Sequence, residues 1–473
     1  MATPLIHLLQ RSQEDWLIGY STQKLIHLTQ AHYQEITPQT QTILLAERDP
    51  ICFLAGFIAA CSTNAQIFLC NPDWVQQEWQ QVFALVQPDL IWGDVAKHWR
   101  VDRQTNQKTN GLGEKFVPFT NQSSPKSAAQ FATIMIPTGG TSGKIRFAMH
   151  TWSTLTASAQ GFKTYFEVDR VHSCCVLPLY HVSGLMQFMR SFTSGGKLAI
   201  LPWRAIATQA TSAIDPQEFF LSLVPTQLQQ LLLVAPLLAQ FRTILLGGAP
   251  AWPELLKEAQ ALQLAIAPTY GMTETASQIA TLKPEDFLRE QYNCGLPLPH
   301  AQITIRSTTG QILEAGQIGR IIIQSDSLML GYYPHLLNRS TYEPDDLGFL
   351  DSQGYLHIVG RNSNKIITGG ENVFPSEVEA AIFATKMVRD VCVVGISDPI
   401  WGQIVAAVYV SNPIVPSEKL ASALEGKLSK FKHPKCWVAI AALPRTAHGK
   451  INLDQLRQII ATKTDRPTTL AKA

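Results

Sequence analysis

No excess of charge of either sign marks this chain: 38 lysines and arginines face 36 aspartates and glutamates, and charged residues make up only 16% of its 473 positions. Without a long single-sign run, the electrostatic footprint of a nucleic-acid surface is missing, so no nucleic-acid partner is expected. Cysteine is sparse and unpatterned. Cys52, Cys61, Cys70, Cys174, Cys175, Cys294, Cys392 and Cys436 form no C-x-x-C pair, and most lie among apolar neighbours. They read as reduced core thiols of a cytoplasmic protein. The opening MATPLIHLLQRSQEDW lacks the basic start, apolar stretch and cleavage site of a secretion signal, and the longest N-terminal apolar run, residues 51–61, is too short to cross a bilayer. No transmembrane segment is expected.

What is present begins with a glycine-rich window. Residues 131–136 read as a buried strand, followed by Thr138, Gly139, Gly140, Thr141, Ser142, Gly143 and Lys144. Backbone N–H groups that no side chain blocks can wrap polyphosphate oxygens there. It is no Walker loop: the lysine comes five residues after Gly139, and Ile145 stands where magnesium would need a hydroxyl. The alternative is a plain Gly/Ser/Thr hairpin, because a second apolar run, residues 145–149, follows with only Arg146 breaking it.

The length favours roughly two to four domains. Residues 1–100 alternate apolar helical and strand-like runs, which implies α/β layering, and carry no catalytic constellation; residues 102–130 read as a polar surface connection. Thr151 to Thr154 can cap a helix running to about Phe166, and residues 173–177 form a buried strand leading to His181, which either lines a pocket or is structural. Residues 185–192 look helical and apolar except for Gln187, Arg190 and Ser191. Snorkelling to water is the default for such an arginine, and pairing with an anion is the alternative.

Two strand-to-glycine transitions follow, at residues 243–250 and 265–274. Tyr270, Gly271, Thr273 and Glu274 offer a flat aromatic, a turn, a hydroxyl and a carboxylate, suiting a nucleotide and its Mg²⁺. An ordinary helix entry capped by Thr273 explains them equally. Residues 301–324, then 345–359, alternate as β-hairpins, and residues 360–372 look like a polar hinge. A small α+β unit comes next: helix to about 386, strands 391–396 and 404–410, helix 418–428, strand 437–440, then an exposed loop carrying Lys450 and a disordered tail from Thr462.

The order of these windows resembles the adenylate-forming superfamily of acyl-CoA synthetases, peptide-synthetase adenylation domains and luciferases, from about Phe131 to Asn452. The resemblance implies a large N-terminal domain, residues 1–362, of layered α/β subdomains plus a β-rich lobe. A small mobile α+β C-terminal domain, residues 363–473, would hinge near Asn364, where the family usually has Asp. Residues 138–144 match the phosphate loop, with Gly139 where serine is common and Ile145 and Arg146 in place of Pro-Lys. Tyr270, Gly271, Met272, Thr273 and Glu274 match Y-G-x-T-E, in which the aromatic stacks on adenine, the threonine meets the α-phosphate and the glutamate holds Mg²⁺.

Gly247, Gly248 and Ala249 match the adenine-side turn, Asp346 and Arg361 the ribose-binding pair, Lys450 the catalytic lysine, and Gly369 and Gly370 the glycines that pantetheine passes. The implied co-substrates are ATP and CoA, with Mg²⁺. Segments 178–185, 245–250, 271–278 and 367–375 look like the subgroup that activates 2-succinylbenzoate, an aromatic dicarboxylate, on the route to menaquinone or phylloquinone. Arg190, with His181 and Ser277 or Gln278, is then the expected holder of the acid. Another aryl- or fatty-acyl-CoA ligase, a carrier-loading adenylation domain and a non-catalytic nucleotide module are the alternatives. A homo-oligomer is left open.

Overall fold

The alternation in the first hundred residues becomes parallel strands covered by helices. The computed structural model describes residues 4–97, 99–101, 108–110, 133–139, 145–209, 213–337, 339–369, 371–445 and 451–464. Strands Leu90–Gly93, Thr42–Ala46, Gln66–Leu69 and Thr133–Gly139 lie parallel and adjacent in a seven-stranded sheet. The helix Pro50–Cys61 buries ten of its twelve residues, as a helix apolar on all sides must. Asp49 starts it by accepting from the N–H groups of Ile51 and Cys52, with Pro50 preset for the first turn. Its Phe57 meets Trp152 and Phe188 at ring-centroid distances of 6.1 and 5.9 Å, which locks this layer to the helices Trp152–Tyr165 and Val182–Ser194.

A second sheet has eight strands. Leu17–Ile18, Leu198–Ile200, His172–Cys175, Phe219–Leu223, Thr243–Leu246 and Ile266–Met272 are parallel; Ser277–Thr281 and Leu296–Pro297 then run antiparallel. That reversal sets Gln278 opposite Gly271 and Ser277 opposite Met272. A four-stranded antiparallel sheet, Ala301–Arg306, Gly319–Ser325, Asp346–Leu350 and Leu356–Arg361, forms the β-rich lobe. The last sheet, with strands between Ile366 and Ala439, carries the helices Pro375–Phe383, Ser417–Ala423 and Leu453–Thr464. Its two apolar clusters draw only on residues 366–460.

Layering, both hairpins and the terminal α+β unit agree with the sequence reading, and all eight cysteines are free thiols. Within the expected hinge segment, residues 360–372, Ile366–Thr368 and Glu371–Val373 pair as a hairpin with apolar Ile366 and Val373 buried on its inner face. Two details of the C-terminal unit differ from the sequence reading. The helix expected to reach 428 ends at Ala423. The helix Leu453–Thr464 was not foreseen, yet its Leu456 and Ile460 complete a core cluster. Most of the expected connection 102–130 lies outside the described residues. No helix among the described residues is long and apolar enough to cross a membrane.

Because Phe57 joins two layers while fully buried, Phe57→Ala should cost about 3–5 kcal/mol of stability. A urea-unfolding midpoint unchanged from the parent would show that the two layers do not depend on this contact.

Candidate active site

The described residues of the glycine-rich window form a hairpin, and the segment expected to bind phosphate lies between its strands. Thr133–Gly139 pairs with Ile145–Thr151 in register from Thr133 opposite Thr151 to Gly139 opposite Ile145, with Thr138 facing Arg146. Buried Ile134, Met135 and Ile136 root it in the seven-stranded sheet. The tip residues Gly140, Thr141, Ser142, Gly143 and Lys144 lie outside the described residues, as do Gly370 and Lys450.

Four expected nucleotide residues converge at the end of the strand Ile266–Met272. The Tyr270 hydroxyl donates to Asp346 Oδ2 at 2.7 Å, and Arg361 Nε approaches Asp346 Oδ1 at 3.4 Å. The β-lobe register that sets Asp346 opposite Arg361 makes this possible. Burial, then the Asp346 charge, holds the Tyr270 phenol above its ordinary range. Thr269, next to Tyr270, fills the space beside Gly247: a Cβ there would lie 2.4 Å from Thr269 Oγ1. Gly248, at φ +81°, then turns the chain toward exposed Ala249.

The helix-entry reading of Thr273 and Glu274 fails. Thr273–Thr275 is a single 3₁₀ turn, capped at Met272 and followed by a strand. Glu274 is 7% exposed, and its Oε1 accepts from the Tyr332 hydroxyl at 2.5 Å. Arg146, from the hairpin, stacks its guanidinium 4.2 Å above the Tyr332 ring. Among the described residues no cluster of three metal-ligating side chains exists. A nearly buried lone carboxylate fits Mg²⁺ bound together with a nucleotide, because the ion takes one or two carboxylates and draws its other ligands from phosphates and water.

Arg190 does not snorkel. It is 3% exposed, its Nη2 donates to Ser277 Oγ at 3.1 Å and to Gln278 Oε1 at 3.2 Å, and its guanidinium lies 4.3 Å over the Phe162 ring. Desolvation pulls it down from 12.5 to about 9. Its Nε has no partner among the described residues. His300 stands nearby with neither ring nitrogen bonded among those residues; it fits only because position 161 is glycine, where a Cβ would lie 1.8 Å from His300 Nδ1. His181, by contrast, caps the other end of the helix carrying Arg190, roughly 13 Å away along its axis.

Tyr332, His150 and His300 escaped the sequence reading. His150 left one trace, a polar residue closing a buried apolar strand, which has to find a partner. In the C-terminal part, Gly369, at φ +58°, lies against Trp401. Asn364 belongs to a turn that Asp345 holds by accepting from the Ser363 hydroxyl and, at 3.2 Å, from the Ser363 N–H.

Comparison with known proteins follows the same outline. The AMP-binding enzyme family matches residues 36–333, and the AMP-binding enzyme C-terminal domain matches residues 377–450. A 2-succinylbenzoate–CoA ligase of Enterococcus faecalis is 28% identical over 455 residues, 93% of this chain and 92% of its own. One from Bacillus velezensis is 33% identical over 336 residues, 69% of each chain. The o-succinylbenzoate CoA synthetase of Bacillus subtilis, solved with its acyl-adenylate intermediate, superposes with a TM-score of 0.81 at 23% identity, covering 95% of this chain and 97% of that one. ATP-bound MatB of Rhodopseudomonas palustris gives 0.78 at 21% identity, covering 96% of this chain and 98% of that one.

His150 and His300 are both drawn from 6.5 to about 4, chiefly by burial, with the Arg190 charge adding for His300. Between those values the unfolded chain binds protons that the folded one refuses. Each ring's contribution is therefore complete above pH 6.5 and lost as pH falls toward 4, up to about 3 kcal/mol apiece. Urea midpoints should fall between pH 7 and 4.5, and His300→Asn should flatten that fall. An equal slope in the variant would contradict the assignment to His300.

Proposed function

The chain belongs to the AMP-binding enzyme family, and from that premise we propose that it is an AMP-forming ligase joining 2-succinylbenzoate to CoA through an acyl-adenylate, on the route to menaquinone or phylloquinone. The observation that carries the choice of acid is the buried Arg190, hydrogen-bonded to the strand that leaves the Glu274 turn. A desolvated guanidinium with an unpartnered Nε calls for an anion. A dicarboxylate supplies one beyond the carboxylate that reacts; a fatty acid would leave the charge uncompensated. The names of the Enterococcus and Bacillus relatives support the same reading.

In the first half-reaction a succinyl carboxylate oxygen forms a bond to the α-phosphorus of ATP, and pyrophosphate leaves. Two anions have to meet, so stabilising the developing charge is the main task. Tyr270 packs on adenine. Asp346, already shared by Tyr270 and Arg361, keeps lone pairs free for the ribose hydroxyls. Thr273 and residues 138–144 are assigned to the phosphates. Mg²⁺, held by Glu274, would neutralise phosphate charge. Lys450 spans the carboxylate and the α-phosphate. Arg190, Ser277 and Gln278 hold the bystander carboxylate, with His181 nearer the reacting end.

In the second half-reaction the CoA sulfur attacks the same carbonyl and AMP leaves. Lys450 then stands in the way, so residues 363–473 turn about a hinge near Asn364 and bring Gly369 and Gly370 to the pantetheine.

The direct test is thioester formation from 2-succinylbenzoate, ATP and CoA, followed by mass spectrometry; absence of 2-succinylbenzoyl-CoA would overturn the reading. Lys450→Ala should lose about 10²- to 10³-fold in adenylation yet convert preformed acyl-adenylate to thioester; equal loss in both steps would refute this division. Arg190→Met should raise Tm, because a desolvated charge is removed, and raise the KM for the acid about 100-fold. An unchanged KM would return Arg190 to a structural role.

A further inference from the structure

The turn between Tyr270 and Gln278 is strained and fully clamped. Ala276 and Ser277 adopt φ values of +50° and +91°, in the left-handed region that side chains disfavour. Such strain persists only where surroundings over-determine it. Here the surroundings do so carbonyl by carbonyl. His150 Nε2 donates to Thr273 O at 2.7 Å, Met329 N to Glu274 O at 2.9 Å, Ser327 Oγ to Thr275 O at 2.9 Å and Ser158 Oγ to Ala276 O at 2.7 Å. The Thr275 hydroxyl donates to Ser277 O at 2.6 Å. Within the turn, Ala276 N also donates to Thr273 O at 3.1 Å; the other donors come from outside it: the glycine-rich hairpin, the segment joining hairpin to lobe, and the helix Trp152–Tyr165.

His150 is fully buried and neutral, with Nδ1 3.1 Å from the Thr154 hydroxyl. Because Thr273 O can only accept, the ring proton sits on Nε2. The ring therefore has one tautomer and one place to aim it.

We infer that His150 and Ser158 are positioning residues acting on opposite ends of this turn: His150, through Thr273 O, aims Thr273 and Glu274 at the nucleotide, and Ser158, through Ala276 O, aims Ser277 and Gln278 at the acid. The inference rests on the function proposed above. It adds a backbone link from the glycine-rich hairpin to the turn, through the His150 imidazole, beside the side-chain link that Arg146 and Tyr332 make to Glu274.

The two ends make the idea testable. His150→Leu removes the side-chain donor to Thr273 O and leaves only the local Ala276 N–H. It should weaken Mg·ATP binding, measured by calorimetry without acid, and lower adenylation kcat about 10- to 100-fold, while the KM for 2-succinylbenzoate changes less than about twofold. Ser158→Ala should do the reverse, raising the KM for the acid and leaving Mg·ATP binding alone. His150→Gln, which keeps an amide donor within reach, should recover most of the lost affinity. Should His150→Leu fail to fold, His150→Asn, too short to reach Thr273 O, takes its place.

Variants that only lower Tm, with Mg·ATP affinity, kcat and acid KM of the folded enzyme unchanged, would overturn the inference. So would equal losses at both ends. Failure of the parent enzyme to make any acyl-adenylate would instead count against the proposed function, since the calorimetric arm with Mg·ATP does not need the acid.

Discussion

Five consecutive carbonyls, each matched by a donor, organise this molecule. Where the strand Ile266–Met272 ends, the chain reverses through a 3₁₀ turn whose Glu274 and Thr275 are buried, and a carbonyl that is buried there has to find a donor or carry the desolvation cost of an unpaired group. The donors come from the seven-stranded sheet, from a helix on the eight-stranded sheet and from the chain leaving the β-lobe. Three layers therefore register against one turn. The side chains proposed to meet nucleotide and acid, from Glu274 on one side to Gln278 on the other, inherit that register.

The second constraint is electrostatic. A chain with almost balanced formal charge has placed one arginine where water cannot screen it. In such surroundings an unpaired guanidinium is costly and a paired one interacts strongly. Burial also keeps His300, which feels the Arg190 charge, neutral at neutral pH. The acid-binding role proposed for Arg190 would set stability against recognition, as expected where a protein holds a charge ready for a ligand.

At the nucleotide end the opposite strategy operates. Asp346 already binds Tyr270 and Arg361, so its position is set before any ribose arrives. The neighbouring Asp345 fastens the turn at Ser363 just before Asn364. Two adjacent carboxylates thus make different contacts: Asp346 binds Tyr270 and Arg361, in keeping with the ribose role proposed for it, and Asp345 steadies the chain leading to the C-terminal unit.

Local chemistry was legible in the sequence because it is carried by residue order: the glycines of the hairpin tip, the aromatic, hydroxyl and carboxylate of residues 270–274, the alternating strands of the lobe and the apolar helix Pro50–Cys61. Those features follow from backbone freedom and periodicity, which neighbours in the chain determine. Whether Arg190 met water or a partner, and whether Glu274 entered a helix or a turn, could not be read that way. Arg190 finds Ser277 some 87 positions away, His150 finds Thr273 some 123 away, and Tyr332 finds Glu274 some 58 away. Burial and hydrogen-bond partnership are properties of the assembled layers, so only the tertiary structure decided which polar residues became a site and which merely lay near one.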